Sequence, residues 1–345
     1  MLRYEHGGDI YANAGIRLDF SVNTNPLGMP EAARRALFDA TDALARYPDP
    51  QCRALRQALA KKHGVAPDMF LCGNGAADMI FRVCACLKPK KVLTLAPTFS
   101  EYERPVKLFG GEMLEYRLKE TEGFALTEDI LGALTTDIEL LFLCNPNNPT
   151  GRLASPELLY RIVKACAQNG TLLMVDECFI GFTDGQSMVP LLEEFPNLLI
   201  LNAFTKLYAL AGLRLGYLMC ADTALVSRIA AFGAHWSVSA AAQAAGLGAL
   251  EESAWAQRTR SLIKTERAYM REALAALGLM VFPSDANFLL VKSPAPLYEP
   301  LKERGILVRS CANFTGLDER FIRIGLKTRE KNEALLRAIE EVIRD

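Results

Sequence analysis

The chain has 345 residues, half of them hydrophobic and 23% charged, which is enough for a large and a small domain with extensive cores. Its 39 basic and 40 acidic side chains give a net charge of −1, which argues against a nucleic-acid or membrane-surface partner. No apolar run is long enough to cross a bilayer. The N-terminal residues contain no apolar signal core, so we expect a cytoplasmic protein.

The first 30 residues are predicted to form an irregular arm, because they are rich in turn residues. Helices are predicted from Pro30 onward and over about 50–63. Apolar runs then alternate with amphipathic segments, which predicts an α/β domain with a mostly parallel sheet. Its strands are expected at 69–72, 91–96, 111–118, 138–146, 171–179, 198–204 and 213–220.

The pattern changes after about residue 222. Long helical stretches are predicted over 223–232 and 238–277, followed by a smaller α+β unit. Its strands are expected at 280–283, 288–292, 306–310 and 321–326, and a final helix at 331–345. We therefore predict an N-terminal arm (1–30), a large domain (31–235) and a small C-terminal domain (236–345), on which the arm can pack.

The nine cysteines indicate a reducing compartment. Their number is odd, no CxxC pair occurs and most lie in apolar runs, which is typical of buried thiols. The three histidines, His6, His63 and His235, lie far apart in the sequence. We therefore expect no metal site.

Lys206 follows an apolar strand, and Arg214 comes eight residues later. A lysine in this place is usually a solvated loop charge. An amine attacks an aldehyde only when it is deprotonated, so burial or a nearby cation must lower its ordinary pKa of about 10.4. Arg214 can act as that cation and can also bind a phosphate.

Asp176 and Asn148 also follow apolar strands, whose carboxyl ends are where α/β sheets bind ligands. A buried carboxylate there can keep a pyridine nitrogen protonated, although a helix cap or a salt bridge explains Asp176 equally well. Asn148 lies in the turn Asn145-Pro-Asn-Asn-Pro-Thr-Gly151. Its amide can bond a phenolic oxygen, or the segment can be a plain turn.

The segment Gly73-Asn74-Gly75-Ala76 opens a helix after a short strand. Free backbone N–H groups and the helix dipole at such a position suit a phosphate. Asp78 occupies the third glycine position of the dinucleotide-binding motif, which disfavours a dinucleotide fold.

Together these residues resemble the fold-type I enzymes that use pyridoxal 5′-phosphate (PLP), the aspartate aminotransferase superfamily. The motifs occur in the family's order over nearly the whole chain: GNGAAD, PTFSEY, NPNNPTG, VDECF, the Thr-Lys pair at 205–206, LRLGY and FIRIG. The resemblance implies a Schiff base between PLP and Lys206. It also implies that Asp176 pairs with the pyridine nitrogen and Asn148 with the phenolic oxygen.

The same resemblance assigns further contacts. Four residues correspond to the phosphate cup: Gly75, Ala76, Thr205 and Arg214. Phe99 corresponds to the aromatic ring that stacks on the cofactor. Arg323 corresponds to the arginine that binds the substrate α-carboxylate, since a planar guanidinium group can donate two parallel hydrogen bonds to a carboxylate. Tyr47 corresponds to a tyrosine that reaches the phosphate of a partner subunit, which implies a homodimer.

Within the superfamily the chain resembles the histidinol-phosphate aminotransferase branch and, inside it, the threonine-phosphate decarboxylases of cobalamin synthesis. The segments concerned are HGGDI, DFSVNTNPLG, WSVS and VRSCANFTGLDERFIRIGLK. The implied reaction is PLP-dependent decarboxylation of L-threonine O-3-phosphate to (R)-1-amino-2-propanol O-2-phosphate. Arg309 is expected at the substrate phosphate, at the opposite end from Arg323, with help from His6 and Asn25. The alternative for His6 is a disordered terminal residue.

Two positions depart from the aminotransferase pattern. Phe179 stands where those enzymes usually have a tyrosine bonded to the phenolic oxygen, and the decarboxylases resemble this chain there. Ala203 stands where a hydroxyl usually helps to hold the phosphate, and Asn202 is a candidate to compensate.

The residues alone do not separate decarboxylation from transamination, because both reactions use Lys206 and Asp176 and differ in which Cα bond stands perpendicular to the cofactor ring. A histidinol-phosphate aminotransferase or a related class I/II aminotransferase is therefore the alternative enzyme. A PLP-binding regulatory or structural homologue is the non-enzymatic alternative. This non-enzymatic alternative is disfavoured because the sequence shows no basic DNA-binding domain and because Lys206 and Asp176 are both retained.

Overall fold

The structure, a computed structural model, describes residues 7–13 and 15–344. Among these residues the first elements are strand β1 (Leu18–Asp19) and helices α1 (Glu31–Asp39) and α2 (Arg53–His63). Seven strands then form the central sheet: β2 (Phe70–Gly73), β3 (Lys91–Ala96), β4 (Glu112–Arg117), β5 (Leu140–Cys144), β6 (Leu172–Asp176), β7 (Leu198–Ala203) and β8 (Gly216–Met219).

The central sheet has the spatial order β2-β8-β7-β6-β5-β3-β4. Strand β8 is antiparallel to both of its neighbours, and the other neighbours are parallel. Every residue of β5 is buried, as expected for a parallel strand covered by helices on both faces. The predicted mostly parallel α/β sheet is confirmed, with its strands within a few residues of the expected positions.

Helices connect these strands and cover the sheet: α3 (Ala76–Leu87), α4 (Glu103–Leu108), α5 (Ile130–Ala133), α6 (Pro156–Asn169) and α7 (Phe204–Leu207). Helix α6 begins in a favoured way, because the Ser155 hydroxyl accepts a hydrogen bond from the Leu158 backbone N–H at 3.2 Å and Pro156 needs no N–H partner. Among the described residues, no helix combines the length and the apolar character needed to cross a membrane.

The C-terminal part begins with helices α8 (Thr223–Ala230), α9 (Ala240–Glu251) and α10 (Trp255–Ala276). The helical stretch predicted over 238–277 consists of two helices, because the chain leaves the helical path at Glu252. The carboxylate of Glu252 accepts from the Ala32 backbone N–H at 3.0 Å and from Arg258 at 2.7 Å. The bond to Ala32 joins the break to α1, and no glycine or proline marks this position in the sequence.

The remaining elements are β9 (Met280–Val281), β10 (Phe288–Lys292), α11 (Tyr298–Glu303), β11 (Ile306–Leu307), β12 (Arg309–Ser310), β13 (Phe321–Gly325) and α12 (Arg329–Arg344). Four of these strands form an antiparallel sheet of order β12-β13-β10-β9. Strand β1 pairs in parallel with β11. The N-terminal segment is therefore joined to the C-terminal part of the chain.

Residues 20–23 are attached to the C-terminal strands through their backbone. Four donors bind four successive carbonyl oxygens: Gly325 N to Phe20 O (2.8 Å), Arg323 Nη2 to Ser21 O (2.6 Å), Lys327 Nζ to Val22 O (3.1 Å) and Asn287 Nδ2 to Asn23 O (3.0 Å). The irregular segment is thus held by its backbone rather than by a regular element. The domain boundaries at residues 30 and 235 remain predictions.

Candidate active site

A cavity of about 240 Å³ is lined by residues from the central sheet, the C-terminal strands and the N-terminal segment. Nine predicted site residues line it: Ala76, Phe99, Asn148, Asp176, Thr205, Lys206, Arg214, Arg309 and Arg323. Several of them follow the carboxyl ends of β5, β6 and β7, where parallel sheets expose ligand-binding loops. The fold thus brings together residues that are far apart in sequence.

Lys206 lies on the short helix α7, directly after β7. Burial lowers the pKa of its amine to about 8, and the Arg323 and Arg214 guanidinium groups act in the same direction. The amine nitrogen lies 5.9 Å from the ring centroid of Phe179, which carries no hydroxyl. The site therefore provides a lysine that is much easier to deprotonate than a solvated one.

Asp176 is buried at the end of β6. Its Oδ2 accepts a hydrogen bond from the Tyr102 hydroxyl at 2.8 Å, and its Oδ1 accepts from the Cys178 backbone N–H at 3.0 Å. Each oxygen of the carboxylate therefore has its own donor, which stabilises a buried charge.

Asn148 and Arg323 are hydrogen-bonded to each other inside the cavity, with Arg323 Nη1 donating to Asn148 Oδ1. The amide oxygen of Asn148 is therefore engaged, and its NH₂ group is the part that can donate to a ligand. Arg323 also donates from Nη2 to the Ser21 carbonyl. Burial lowers the pKa of Arg323 to about 10, and Arg309 acts in the same direction.

Gly75 precedes α3 with a φ of +83°, and a Cβ placed there would lie 2.7 Å from Arg214 Nη2. Glycine therefore lets the start of α3 approach the guanidinium group. No side chain caps this helix, so its first N–H groups are available to an anion. Ala76, Thr205 and Arg214 line the adjoining wall of the cavity, although Gly75 itself does not.

Arg309 and Arg323 are directly opposite each other on the antiparallel strands β12 and β13, a relation that places Cβ atoms about 5 Å apart. Both side chains are buried. Arg309 donates to Asn313 Oδ1 at 2.8 Å and lies 5.2 Å from the Phe314 ring centroid. Cross-strand pairing thus makes the two arginines neighbours, and which end of a substrate each would bind stays a prediction.

Asn25 was predicted to bind substrate, but it does not line the cavity. Its Nδ2 donates to the Leu207 carbonyl and to the Thr259 hydroxyl, both at 2.7 Å, and its Oδ1 accepts from the Leu27 backbone N–H. Its hydrogen-bonding capacity is thus used in joining the N-terminal segment to α7 and α10. The structure corrects this prediction.

Tyr47 also lies outside the cavity of its own chain. It is 81% exposed and stacks on Trp236 with ring centroids 4.7 Å apart. His6 lies outside the described residues. The amide oxygen of Asn202 accepts a hydrogen bond from the Ala203 backbone N–H at 2.8 Å, and neither residue is among those that line the cavity. Compensation by Asn202 for the hydroxyl missing at Ala203 stays a prediction.

Sequence reasoning missed several residues of the site: Ser21, Asn23, Cys144, Cys178 and Phe314 line the cavity, and Tyr102 lies behind Asp176. Asn23 is 2% exposed, and its Oδ1 has no hydrogen-bond partner within the described ranges. The segment around it lacks a strand or helix period, so the sequence could not show which of its two asparagines faces inward.

The family model "Aminotransferase class I and II" matches residues 16–339. The chain belongs to this family. It is 41% identical to the threonine-phosphate decarboxylase of Salmonella typhimurium, over 98% of this chain and 96% of that protein. The class I and II aminotransferase family accounts for the order of motifs along the chain.

The chain is also similar to a further protein of known sequence and to a solved structure. The adenosylcobalamin biosynthesis bifunctional protein CobDQ of Leptospira interrogans is 31% identical over 98% of this chain and 41% of that protein. The crystal structure of the histidinol-phosphate aminotransferase from Clostridium acetobutylicum has a TM-score of 0.89 and 29% identity, covering 95% of this chain and 99% of that one. These likenesses confirm the predicted fold.

Proposed function

We propose that this chain is a PLP-dependent carboxy-lyase that converts L-threonine O-3-phosphate to (R)-1-amino-2-propanol O-2-phosphate in cobalamin biosynthesis. The observation that carries the proposal is the pairing of Arg309 with Arg323 beside Lys206 in one cavity. The likeness to the Salmonella decarboxylase over nearly the whole chain supports the same assignment.

The residues of the cavity fit PLP. The available N–H groups of α3, together with Thr205 and Arg214, would hold its phosphate. The Asp176 carboxylate would face the pyridine nitrogen, Asn148 would donate to the phenolic oxygen and Phe99 would stack on the ring. When bound, PLP supplies an aldehyde for amines and a protonated ring that accepts an electron pair from a bond at the substrate Cα.

Lys206 has two tasks in this proposal. Its amine, with a pKa lowered to about 8, would be available in the neutral form to hold PLP covalently through the cofactor's aldehyde carbon. After CO₂ leaves, its Nζ would return a proton to the substrate Cα as a general acid. Cavity walls formed by Phe179, Phe314 and Cys178 would limit the access of water to that carbon.

The two arginines favour a substrate with two anionic groups close together. L-Threonine phosphate carries its carboxylate and its phosphate ester on adjacent carbons, which suits cross-strand neighbours about 5 Å apart at Cβ. Arg323, near Asn148, would bind the carboxylate, and Arg309 the phosphate. Histidinol phosphate has a phosphate but no carboxylate. It would therefore leave the buried guanidinium group of Arg323 without an anionic ligand.

Histidinol-phosphate aminotransferase remains the second candidate because of the high structural likeness to that enzyme. The discriminating experiment supplies PLP and measures two reactions. With L-threonine phosphate we expect release of CO₂ and formation of 1-amino-2-propanol phosphate. Transamination of histidinol phosphate with 2-oxoglutarate at a clearly higher kcat/KM, without decarboxylation of L-threonine phosphate, would contradict the proposal.

We further propose that the enzyme is a cytoplasmic homodimer. The exposed, stacked position of Tyr47 suits a hydroxyl that reaches the phosphate end of a partner's cavity. The free cysteines suit a reducing compartment. Sedimentation and activity measured over a dilution series test the dimer, and a fully active monomer would contradict it.

A further inference from the structure

Tyr102 lies behind the candidate active site rather than in it. The 3₁₀ turn Ser100–Tyr102 follows Phe99, and a spacing of three puts Phe99 and Tyr102 on the same side of such a turn. Phe99 lines the cavity, whereas Tyr102 is only 1% exposed. The tyrosine hydroxyl donates to Asp176 Oδ2 at 2.8 Å.

The ring of Tyr102 is fixed from two sides. It stacks in parallel on Phe142 of β5, with centroids 4.8 Å apart and an interplanar angle of 5°. Its other neighbour is Phe99, which it meets edge to face at 5.5 Å and 84°. Both arrangements are favourable for aromatic pairs. The hydroxyl is therefore held in one place relative to β5 and β6.

The hydroxyl stays protonated and so remains a donor. Burial, together with the neighbouring Asp176 carboxylate, raises the pKa of Tyr102 well above its usual range. Asp176 is itself buried, and its second oxygen accepts from the backbone N–H of Cys178. A buried carboxylate depends on such donors to remain charged.

We propose that Tyr102 is a positioning residue of the site: its hydroxyl holds the Asp176 carboxylate in the orientation needed opposite the pyridine nitrogen. Its ring also supports Phe99 from behind. This inference rests on the proposed PLP function and adds a residue that acts through Asp176 without touching the cofactor.

The variant that tests it is Tyr102→Phe, which keeps the ring and its packing and removes only the hydroxyl. The apoprotein is titrated with PLP and with 1-deazapyridoxal 5′-phosphate, in which carbon replaces the ring nitrogen. We expect the Kd for PLP to rise about tenfold, the effect of losing one hydrogen bond to a charged group. The Kd for the deaza compound should change little, since it offers Asp176 no nitrogen to pair with.

Tyr217→Phe is the matched control, because Tyr217 is also buried, bonds His63 Nε2 at 3.0 Å and does not line the cavity. It should leave both dissociation constants unchanged. The ratio of the two constants is measured on the same sample, so a lower folded fraction in Tyr102→Phe does not change it. Urea unfolding of the apoprotein gives that fraction independently.

Two further readouts separate positioning from packing. In the PLP-loaded Tyr102→Phe enzyme, the visible absorbance of the cofactor should differ from wild type, and kcat should fall while KM for the substrate stays nearly constant. Equal loss of affinity for both cofactors, or an unchanged Kd for PLP, would overturn the inference. Failure of the wild-type chain to bind PLP would instead overturn the proposed function.

Discussion

Arg323 donates a hydrogen bond from Nη1 to Oδ1 of Asn148, across 175 residues of sequence. The bond joins the C-terminal strand β13 to the loop after β5, so the proposed carboxylate-binding group and the proposed phenolic-oxygen donor share one network. A substrate carboxylate bound at Arg323 would therefore be placed directly beside the cofactor ring.

The paired arginines predict different effects of two conservative substitutions. Lysine cannot reproduce the planar fork of arginine, so Arg309→Lys and Arg323→Lys should each lower kcat/KM for L-threonine phosphate by about 10- to 100-fold. Arg309→Lys should also reduce the preference for L-threonine phosphate over L-threonine. Arg323→Lys should affect both amino acids alike, because both carry the carboxylate. Steady-state kinetics with the two substrates checks this, and identical preference ratios in the two variants would refute the assignment.

The lowered pKa of Lys206 predicts how PLP binding depends on pH. Only the neutral amine attacks the aldehyde. With a pKa of about 8, the association rate with apoprotein should rise as pH increases and level off above about pH 8, rather than rising up to the ordinary lysine pKa near 10.4. Stopped-flow absorbance measures this association rate, and the reaction of PLP with free lysine in the same buffers is the control. A rate that continues to rise to pH 10 would show that the site does not lower this pKa.

Phe179→Tyr should shift the chemistry of the site. The ring lines the cavity and lies edge to face against Phe288 at 5.1 Å. A hydroxyl there would add a donor near the phenolic oxygen of PLP. We expect an altered visible absorbance and a larger share of transamination relative to decarboxylation, measured as the ratio of products from L-threonine phosphate. Phe182→Tyr is the control, since Phe182 does not line the cavity. An unchanged spectrum and ratio in Phe179→Tyr would contradict the prediction.

Asn25 and Asn23 should behave differently when changed to alanine. Asn25→Ala removes buried hydrogen bonds to Leu207 and Thr259 and should cost about 1–3 kcal/mol of unfolding free energy. Asn23→Ala removes a side chain that lines the cavity and should raise KM while changing stability less. Urea denaturation and kinetics of both variants check the pair. A raised KM in Asn25→Ala, together with the larger loss of stability in Asn23→Ala, would instead support Asn25 as the substrate ligand.

The sequence predicted the central sheet well because its strands are short apolar runs between amphipathic helices. It also predicted Lys206, Asp176 and Asn148, since each follows such a run. The failures have physical causes. The helical stretch is divided at Glu252, whose carboxylate bonds to distant Ala32. Asn25 and Asn23 lie in a segment without periodicity, and Tyr102 lies behind the Asp176 carboxylate. The relation between Arg309 and Arg323 depends on strand register, which the spacing of residues does not reveal.

The most direct test of the proposed reaction follows the substrate Cα in D₂O. Decarboxylation breaks the bond to the carboxylate, retains the original Cα hydrogen and adds one proton from solvent. Mass spectrometry and NMR should therefore show equimolar CO₂ and 1-amino-2-propanol phosphate with one deuterium at C1, and Lys206→Ala should form neither. Absence of CO₂ would contradict the account, because the bond to the carboxylate would then stay intact. A product with two deuterium atoms at C1 would also contradict it, because the Cα–H bond would then have broken as well.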